Sequence, residues 1–254
     1  MSERRVILIT GASGVIGLHL VRHFVANGDT VIAVALEPVS GEDVSSDTGR
    51  PVGKLFSLQI DLEKPGGIAG VMTYLDSIRM RPTGLVNAAR SLAHLALDEN
   101  NMPGPESWAG EFHLGVVIPY QLSMVLANQA DSELRAVVSL SSMYGLVAPT
   151  PSLYDKFEEQ SPVHYGVVKA ALNHLSKELS VRLAPRGIRV NTVSPGGIVG
   201  RETREFRERY ARLCPAGRML RGEEVCGAVD FLLSNAASGV TGHNLVVDGG
   251  WTVW

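Results

Sequence analysis

The chain has 254 residues, 45% of them hydrophobic and 19% charged, with 27 glycines. That composition excludes a disordered polymer, and a single α/β domain absorbs such a length with a core large enough to need no staples. Its 23 basic against 26 acidic residues leave a formal charge of −3, which argues against a nucleic-acid or membrane-surface binder, whose footprint is a basic excess.

No apolar run approaches the roughly 18 residues of a membrane span. The opening MSERRVILITGASG has only a short apolar stretch before its glycines, unlike a secretory signal. Cys214 and Cys226 form no CxxC pair, so two reduced thiols in a cytoplasmic protein are expected. The seven histidines lack ligand spacing and no HExxH occurs, so no metal is expected.

In chain order, short apolar runs alternate with helical patterns. Strands are expected at 6–10, 30–36, 54–60, 84–88, 135–140, 188–193 and 243–247. Helices are expected at 15–27, 66–80, 106–129, 163–184 and 223–234. Several strands are continuous in Val, Ile and Leu, as strands buried on both faces of a parallel sheet are. The alternation predicts an α/β fold: a doubly wound, seven-stranded parallel sheet with helices on both faces, in one domain over 1–254. Residues 37–53 and 143–162 read as loops, and such sheets bind ligands beyond the carboxyl ends of their strands.

The first strand runs into Thr10-Gly11-Ala12-Ser13-Gly14-Val15-Ile16-Gly17, which opens the first helix. Glycines in that context permit a tight turn, close backbone approach to a pyrophosphate and close helix–strand packing. Glu37 stands at the distance from Gly17 where an acid binds adenosine ribose hydroxyls. The second strand ends Val34-Ala35-Leu36 without Arg or Lys, which favours NAD over NADP. Asp61 is placed to reach an adenine edge or to cap a helix.

Tyr165 and Lys169 stand at i, i+4 near the start of a strong helical pattern, on one helix face. A free tyrosine ionises near pH 10, and a neighbouring cation favours the phenolate. Ser141 and Ser142 follow the fifth strand, where a hydroxyl can hold a substrate oxygen.

Over essentially its full length the chain resembles the short-chain dehydrogenase/reductase family, a Rossmann fold. TGASGVIG is similar to its cofactor loop, Asn87-Ala88-Ala89 to its strand-four motif, and Ser142, Tyr165 and Lys169 to its catalytic residues. The runs 191–197 (NTVSPGG), 240–242 (VTG) and 247–250 (VDGG) also match family signatures. The resemblance implies an NAD(P)-dependent oxidoreductase moving hydride between a nicotinamide and a secondary alcohol or ketone. Tyr165 is then the acid/base, Ser142 holds the reacting oxygen, and Lys169 lowers the tyrosine pKa and holds the nicotinamide ribose. It further implies cofactor contacts from Gly11, Ser13, Gly14, Val15, Ile16, Gly17, Glu37, Asp61, Leu62, Asn87, Ala88, Ala89, Tyr165, Lys169, Pro195, Gly196 and Ile198.

Three departures qualify the resemblance. The middle glycine of the loop comes one residue early, as Gly14, in the TGxxGxxG form of the sugar-nucleotide-using relatives. The usual Asn-Asn-Ala-Gly becomes Asn87-Ala88-Ala89-Arg90. The position of a fourth catalytic member, an Asn on the fourth long helix, holds Gly115. The interval from Ser142 to Tyr165 is also long; that insertion, SSMYGLVAP and the ending DGGWTVW are similar to oxidoreductases of flagellin-glycan and nonulosonic-acid pathways, which points to a sugar-like small-molecule substrate.

The segment 201–213 (RETREFRERYARL) reads as a helix with a solvated, salt-bridged face, in a region that the resemblance makes a substrate lid, around 197–220. An inward Arg201 or Arg204 would there bind an anion. Helices 106–129 and 163–184 are apolar on more than one face, and in this family they pack across two-fold axes, so a homodimer or homotetramer is expected. The competing readings are a sugar-nucleotide epimerase or dehydratase, from the TGxxGxxG loop, and a non-catalytic dinucleotide sensor.

Overall fold

The computed structural model describes residues 5–42, 53–200 and 202–254. Among them are seven strands: β1 (Val6–Thr10), β2 (Thr30–Ala35), β3 (Lys54–Gln59), β4 (Gly84–Asn87), β5 (Ala136–Leu140), β6 (Arg189–Pro195) and β7 (Asn244–Val247). All pair in parallel, in the order β3-β2-β1-β4-β5-β6-β7, and each ends within two residues of the range read from the sequence. The helices are α1 (Val15–Ala26), α2 (Gly67–Ser77), α3 (Pro105–Phe112), α4 (Ile118–Asn128), α5 (Phe157–Gln160), α6 (Val163–Leu183), α7 (Arg204–Leu213) and α8 (Cys226–Leu233). None of them is long and apolar enough to cross a membrane.

Side chains alternate across a strand, so β1 feeds two core layers. Ile7 and Ile9 pack with Leu20, Val21 and Phe24 of α1 and with Val229 and Leu232 of α8. Leu8 enters the opposite layer, with Val71 and Leu75 of α2, Ile118 and Leu122 of α4 and Leu179 of α6. The chain therefore leaves β1 towards one face and β4 towards the other. A crevice opens between their carboxyl ends, the switch point at which such sheets take ligands.

The expected helix 106–129 is not regular. Between α3 and α4, residues His113–Val117 form a π turn in which Ile118 N donates to His113 O. Pro119 explains the irregularity: it has no N–H for the carbonyl of Gly115, and its ring would crowd that carbonyl in a regular helix. Gly115 lies inside this turn, and a Cβ there would stand 2.5 Å from Val168 Cγ1 on α6. The space that a side chain at 115 needs is already filled. Residues 222–225 likewise form a tight turn before α8, which starts later than expected.

Alanine is the better helix former by about 1 kcal/mol, but its methyl collides here with a stiff β-branched side chain. Gly115→Ala is expected to lose about 1–3 kcal/mol in urea denaturation, by overpacking. Adding Val168→Ala should then cost less than the sum of the two single changes; simple additivity would show that crowding by Val168 is not what selects the glycine.

Candidate active site

The crevice is floored by the turn after β1. Gly11 adopts a left-handed φ of +65°, and a Cβ there would lie 2.6 Å from the Ala88 carbonyl oxygen. A Cβ on Gly17 would lie 2.1 Å from the Gly11 carbonyl oxygen. Only hydrogen fits at either place, so α1 presses on the turn and the turn on the end of β4. Thr10 fastens the same junction, its Oγ1 accepting from Ala88 N at 3.2 Å and Ala89 N at 3.3 Å. Gly14 is the N-cap of α1; no side chain caps this helix and no acid stands in its first turn. The partial positive charge of the helix end is thus left for an anion in the crevice.

From this turn a cleft of about 1500 Å³ runs along the carboxyl edge of the sheet. Single small-ligand pockets hold roughly 300–1,000 Å³, so the cleft has room for a dinucleotide and a second molecule. Gly11, Ser13, Gly14, Val15, Ile16 and Gly17 line it with Val34, Ala35, Leu36, Asp61 and Leu62 towards one end. Ala88 and Ala89 lie midway, and Ser142, Tyr165, Lys169, Pro195, Gly196 and Ile198 line the other end. Asn87 sits beneath the floor, buried, with Nδ2 donating to Ser139 Oγ and Oδ1 without a partner. Glu37 is exposed beyond β2 and does not line the cleft. Asp61 Oδ1 accepts from Glu63 N at 3.0 Å, a local turn, whereas α2 begins at Gly67 with Gly66 as its N-cap. Within the 37–53 loop, residues 43–52 lie outside the described residues.

At the far end, β5 and α6 are clamped together by two bonds. Ser141 Oγ donates to Lys169 O at 3.0 Å, and the buried Lys169 Nζ donates to Leu140 O at 3.0 Å. Ser142 Oγ accepts from Tyr144 N at 3.1 Å, which leaves its own proton for another acceptor. Two cations approach the Tyr165 ring: the Arg90 guanidinium carbon at 4.7 Å from the centroid and Lys169 Nζ at 5.8 Å.

The 143–162 loop carries α5 and a tyrosine pair, Tyr144 and Tyr154, whose hydroxyls are 2.6 Å apart. Tyr154 packs against Phe157 and Phe206, and Arg209 of α7 donates to Leu153 O. Tyr210 stacks on Trp251 at 4.4 Å between centroids, and its hydroxyl accepts from Gly197 N at 2.9 Å. This connection holds the 195–198 wall. The solvated face expected for α7 is found, with Arg204 paired to Glu208 and Arg207 to Glu202. Arg204 points outward, 86% exposed, and Arg201 lies outside the described residues. Sequence reasoning missed the roles of Thr10, Arg90 and the tyrosine pair; only Arg90 left a signal, as a departure from the strand-four motif.

The family model described as enoyl-(acyl carrier protein) reductase matches residues 11–252. Flagellin modification protein A of Campylobacter coli is 30% identical, over 99% of each chain. Galactitol 2-dehydrogenase (L-tagatose-forming) of Cereibacter sphaeroides is 29% identical, over 97% of this chain and 94% of that one. A short-chain dehydrogenase of Leptospira borgpetersenii, solved with bound NAD+, superposes with a TM-score of 0.82 at 28% identity, covering 98% of this chain and 93% of that one.

Burial pushes Tyr144, Tyr154 and Tyr210 above the ordinary tyrosine range, with the neighbouring hydroxyl adding to the effect at Tyr144. The unfolded chain therefore gives up these protons first, from about pH 10 upward. Stability is complete below about pH 10 and falls as pH rises towards the raised values. Tyr144→Phe should flatten that alkaline decline in denaturation curves, while costing about 1 kcal/mol at neutral pH for the lost bond to Tyr154. An unchanged slope would exclude Tyr144 as a source of the decline.

Proposed function

The chain belongs to the short-chain dehydrogenase/reductase family, and from that premise we propose that its cleft holds NAD, in preference to NADP, with Ser142, Tyr165 and Lys169 at the reacting end. The protein is an oxidoreductase that works with NAD(P) on an alcohol or ketone. The observation that carries the site assignment is the joining, in one cleft, of an uncapped helix end to a Ser–Tyr–Lys group.

The Gly11–Gly17 turn and the start of α1 bind the pyrophosphate. Val34, Ala35 and Leu36 border the adenosine ribose, with Asp61 and Leu62 beside the base; among the described residues no cation lines that end to meet a 2′-phosphate. When bound, the nicotinamide gives or takes the hydride. Tyr165 gives its hydroxyl proton to the carbonyl oxygen in reduction and takes it back in oxidation. Ser142 donates to the same oxygen, and Lys169 sets a positive charge beside the ring, where negative charge develops. Pro195, Gly196 and Ile198 shape the wall beside the reacting carbon.

The substrate is a small, carbohydrate-like molecule, a reading supported by the likeness to a flagellin-modifying protein and a sugar-alcohol dehydrogenase. The chain works as one domain, with residues 197–220 as its lid. Tyr120 and Val125 on α4 and Val181 on α6 are exposed apolar side chains, which supports assembly as a dimer or tetramer.

Calorimetry should show NAD and NADH binding at least about tenfold tighter than their phosphorylated counterparts, a gap of about 1.4 kcal/mol. Comparable or tighter NADPH binding would overturn the preference. In a 340 nm assay with sugars, sugar alcohols and ketones, Tyr165→Phe should lower kcat by about 10²–10⁴ while leaving NADH affinity unchanged. Turnover that survives this change would remove Tyr165 from the acid/base role.

A further inference from the structure

Arg90 follows Asn87-Ala88-Ala89 at the end of β4 and lines the cleft beside Tyr165. Its guanidinium lies over the Tyr165 ring, 4.7 Å from the centroid. A guanidinium beside a ring still carries five N–H donors, more than the π face can take up. Among the described residues the ring is its partner, and no carboxylate or carbonyl occupies the fork.

The surrounding charges are committed to other groups. Lys169, the other cation lining the cleft among the described residues, is buried and donates to Leu140 O. Arg204, Arg207 and Arg209 of the lid helix are paired with Glu208, Glu202 and Asp155. The acids that border the cleft leave Arg90 alone: Asp61 accepts from Glu63 N, Glu63 pairs with His94 at 2.7 Å, and Glu158 has no bond to it. A long side chain is thus ordered against the reacting tyrosine with its hydrogen-bonding edge unused by the protein. A neutral substrate takes ordinary hydrogen bonds from that arrangement, whereas an anion fills the fork and adds stronger, charge-assisted ones.

We propose that Arg90 is the residue that selects the substrate, by binding a carboxylate carried close to the reacting carbon, so that the carbohydrate-like substrate is a hydroxy acid or the corresponding keto acid. One planar fork matches one planar, singly charged carboxylate in bidentate fashion. A phosphate dianion calls for several converging donors, and among the described residues Arg90 is the one arginine lining the cleft. The protein's formal charge of −3 offers no long-range attraction to an anion, so recognition falls to a local group. Arg90 itself passes neither hydride nor proton; it sets the position and identity of what Tyr165 meets, and its charge, like that of Lys169, lies beside the reacting ring. This inference rests on the reading of Tyr165 as the acid/base.

The test begins with calorimetric affinities for NADH and NADPH, measured alone. The cofactor-loaded protein is then titrated with lactate, malate and succinate, with their neutral amides and with inorganic phosphate. At least one carboxylate should bind, its amide about tenfold or more weaker. Arg90→Gln should weaken the carboxylate by a similar factor while moving NADH affinity less than about twofold, and Arg90→Lys should recover part of the loss. In turnover, Arg90→Gln should raise KM for hydroxy acids by a larger factor than it changes kcat/KM for neutral secondary alcohols. The proposal is overturned if no carboxylate binds, if Arg90→Gln binds it as well as the parent, or if phosphate binds better than every carboxylate. A parallel loss of NADH affinity in Arg90→Gln also overturns it, by making Arg90 a cofactor residue. Failure of both dinucleotides to bind the parent protein sinks the reading of the cleft instead, and the carboxylate titrations on the cofactor-free protein still decide the role of Arg90.

Discussion

Because a methyl group at Gly17 would stand 2.1 Å from the Gly11 carbonyl oxygen, and one at Gly11 2.6 Å from that of Ala88, three pieces of backbone meet at a separation that only glycine permits. The start of α1, the turn after β1 and the end of β4 are fixed relative to one another by that contact, with Thr10 bonded across it. The position of the helix end, and therefore of the region that attracts an anion, follows from this close approach. Everything further along the cleft is measured from it, since β5 pairs with β4 and α6 is bonded to the end of β5.

The other end of the cleft is built on different terms. Glycine contacts recur there, with Gly145 against the Lys169 backbone and Gly166 against Tyr144 O, but two hydrogen bonds between the end of β5 and Lys169 join strand to helix, and the wall opposite hangs on a hydroxyl. Tyr210 reaches Gly197 from the lid helix and is itself held by stacking on Trp251. The nucleotide end is thus set by backbone packing, and the reacting end by backbone packing with side-chain bonds added to it, so that its groups can vary on a common frame.

The strands and the nucleotide turn were legible because buried parallel strands are continuous apolar runs, and because glycines between a strand and a helix have few other uses. Ser142, Tyr165 and Lys169 were legible as a resemblance, and the fold gathers all three in one cleft. The π turn was not read, although Pro119 held the signal: the long apolar pattern around it looks the same for a regular helix and a widened one. The tyrosine pair of the 143–162 loop depends on tertiary packing that no periodicity encodes. Glu37 was placed by counting residues, and counting cannot tell which way a chain turns after its strand ends; the side chain proves to be exposed, outside the cleft lining.

The stack of Trp251 on Tyr210 has a consequence in time as well as in space. A ribosome makes the residues of the nucleotide turn first, and Trp251 emerges only after almost every other element described for the chain. Until it does, Tyr210 has Met143, Leu153, Cys214 and Met219 around it but lacks its stacking partner. The last ring that steadies the side that meets the substrate is therefore made long after the residues of the nucleotide end, and the domain closes as a unit only once it is present.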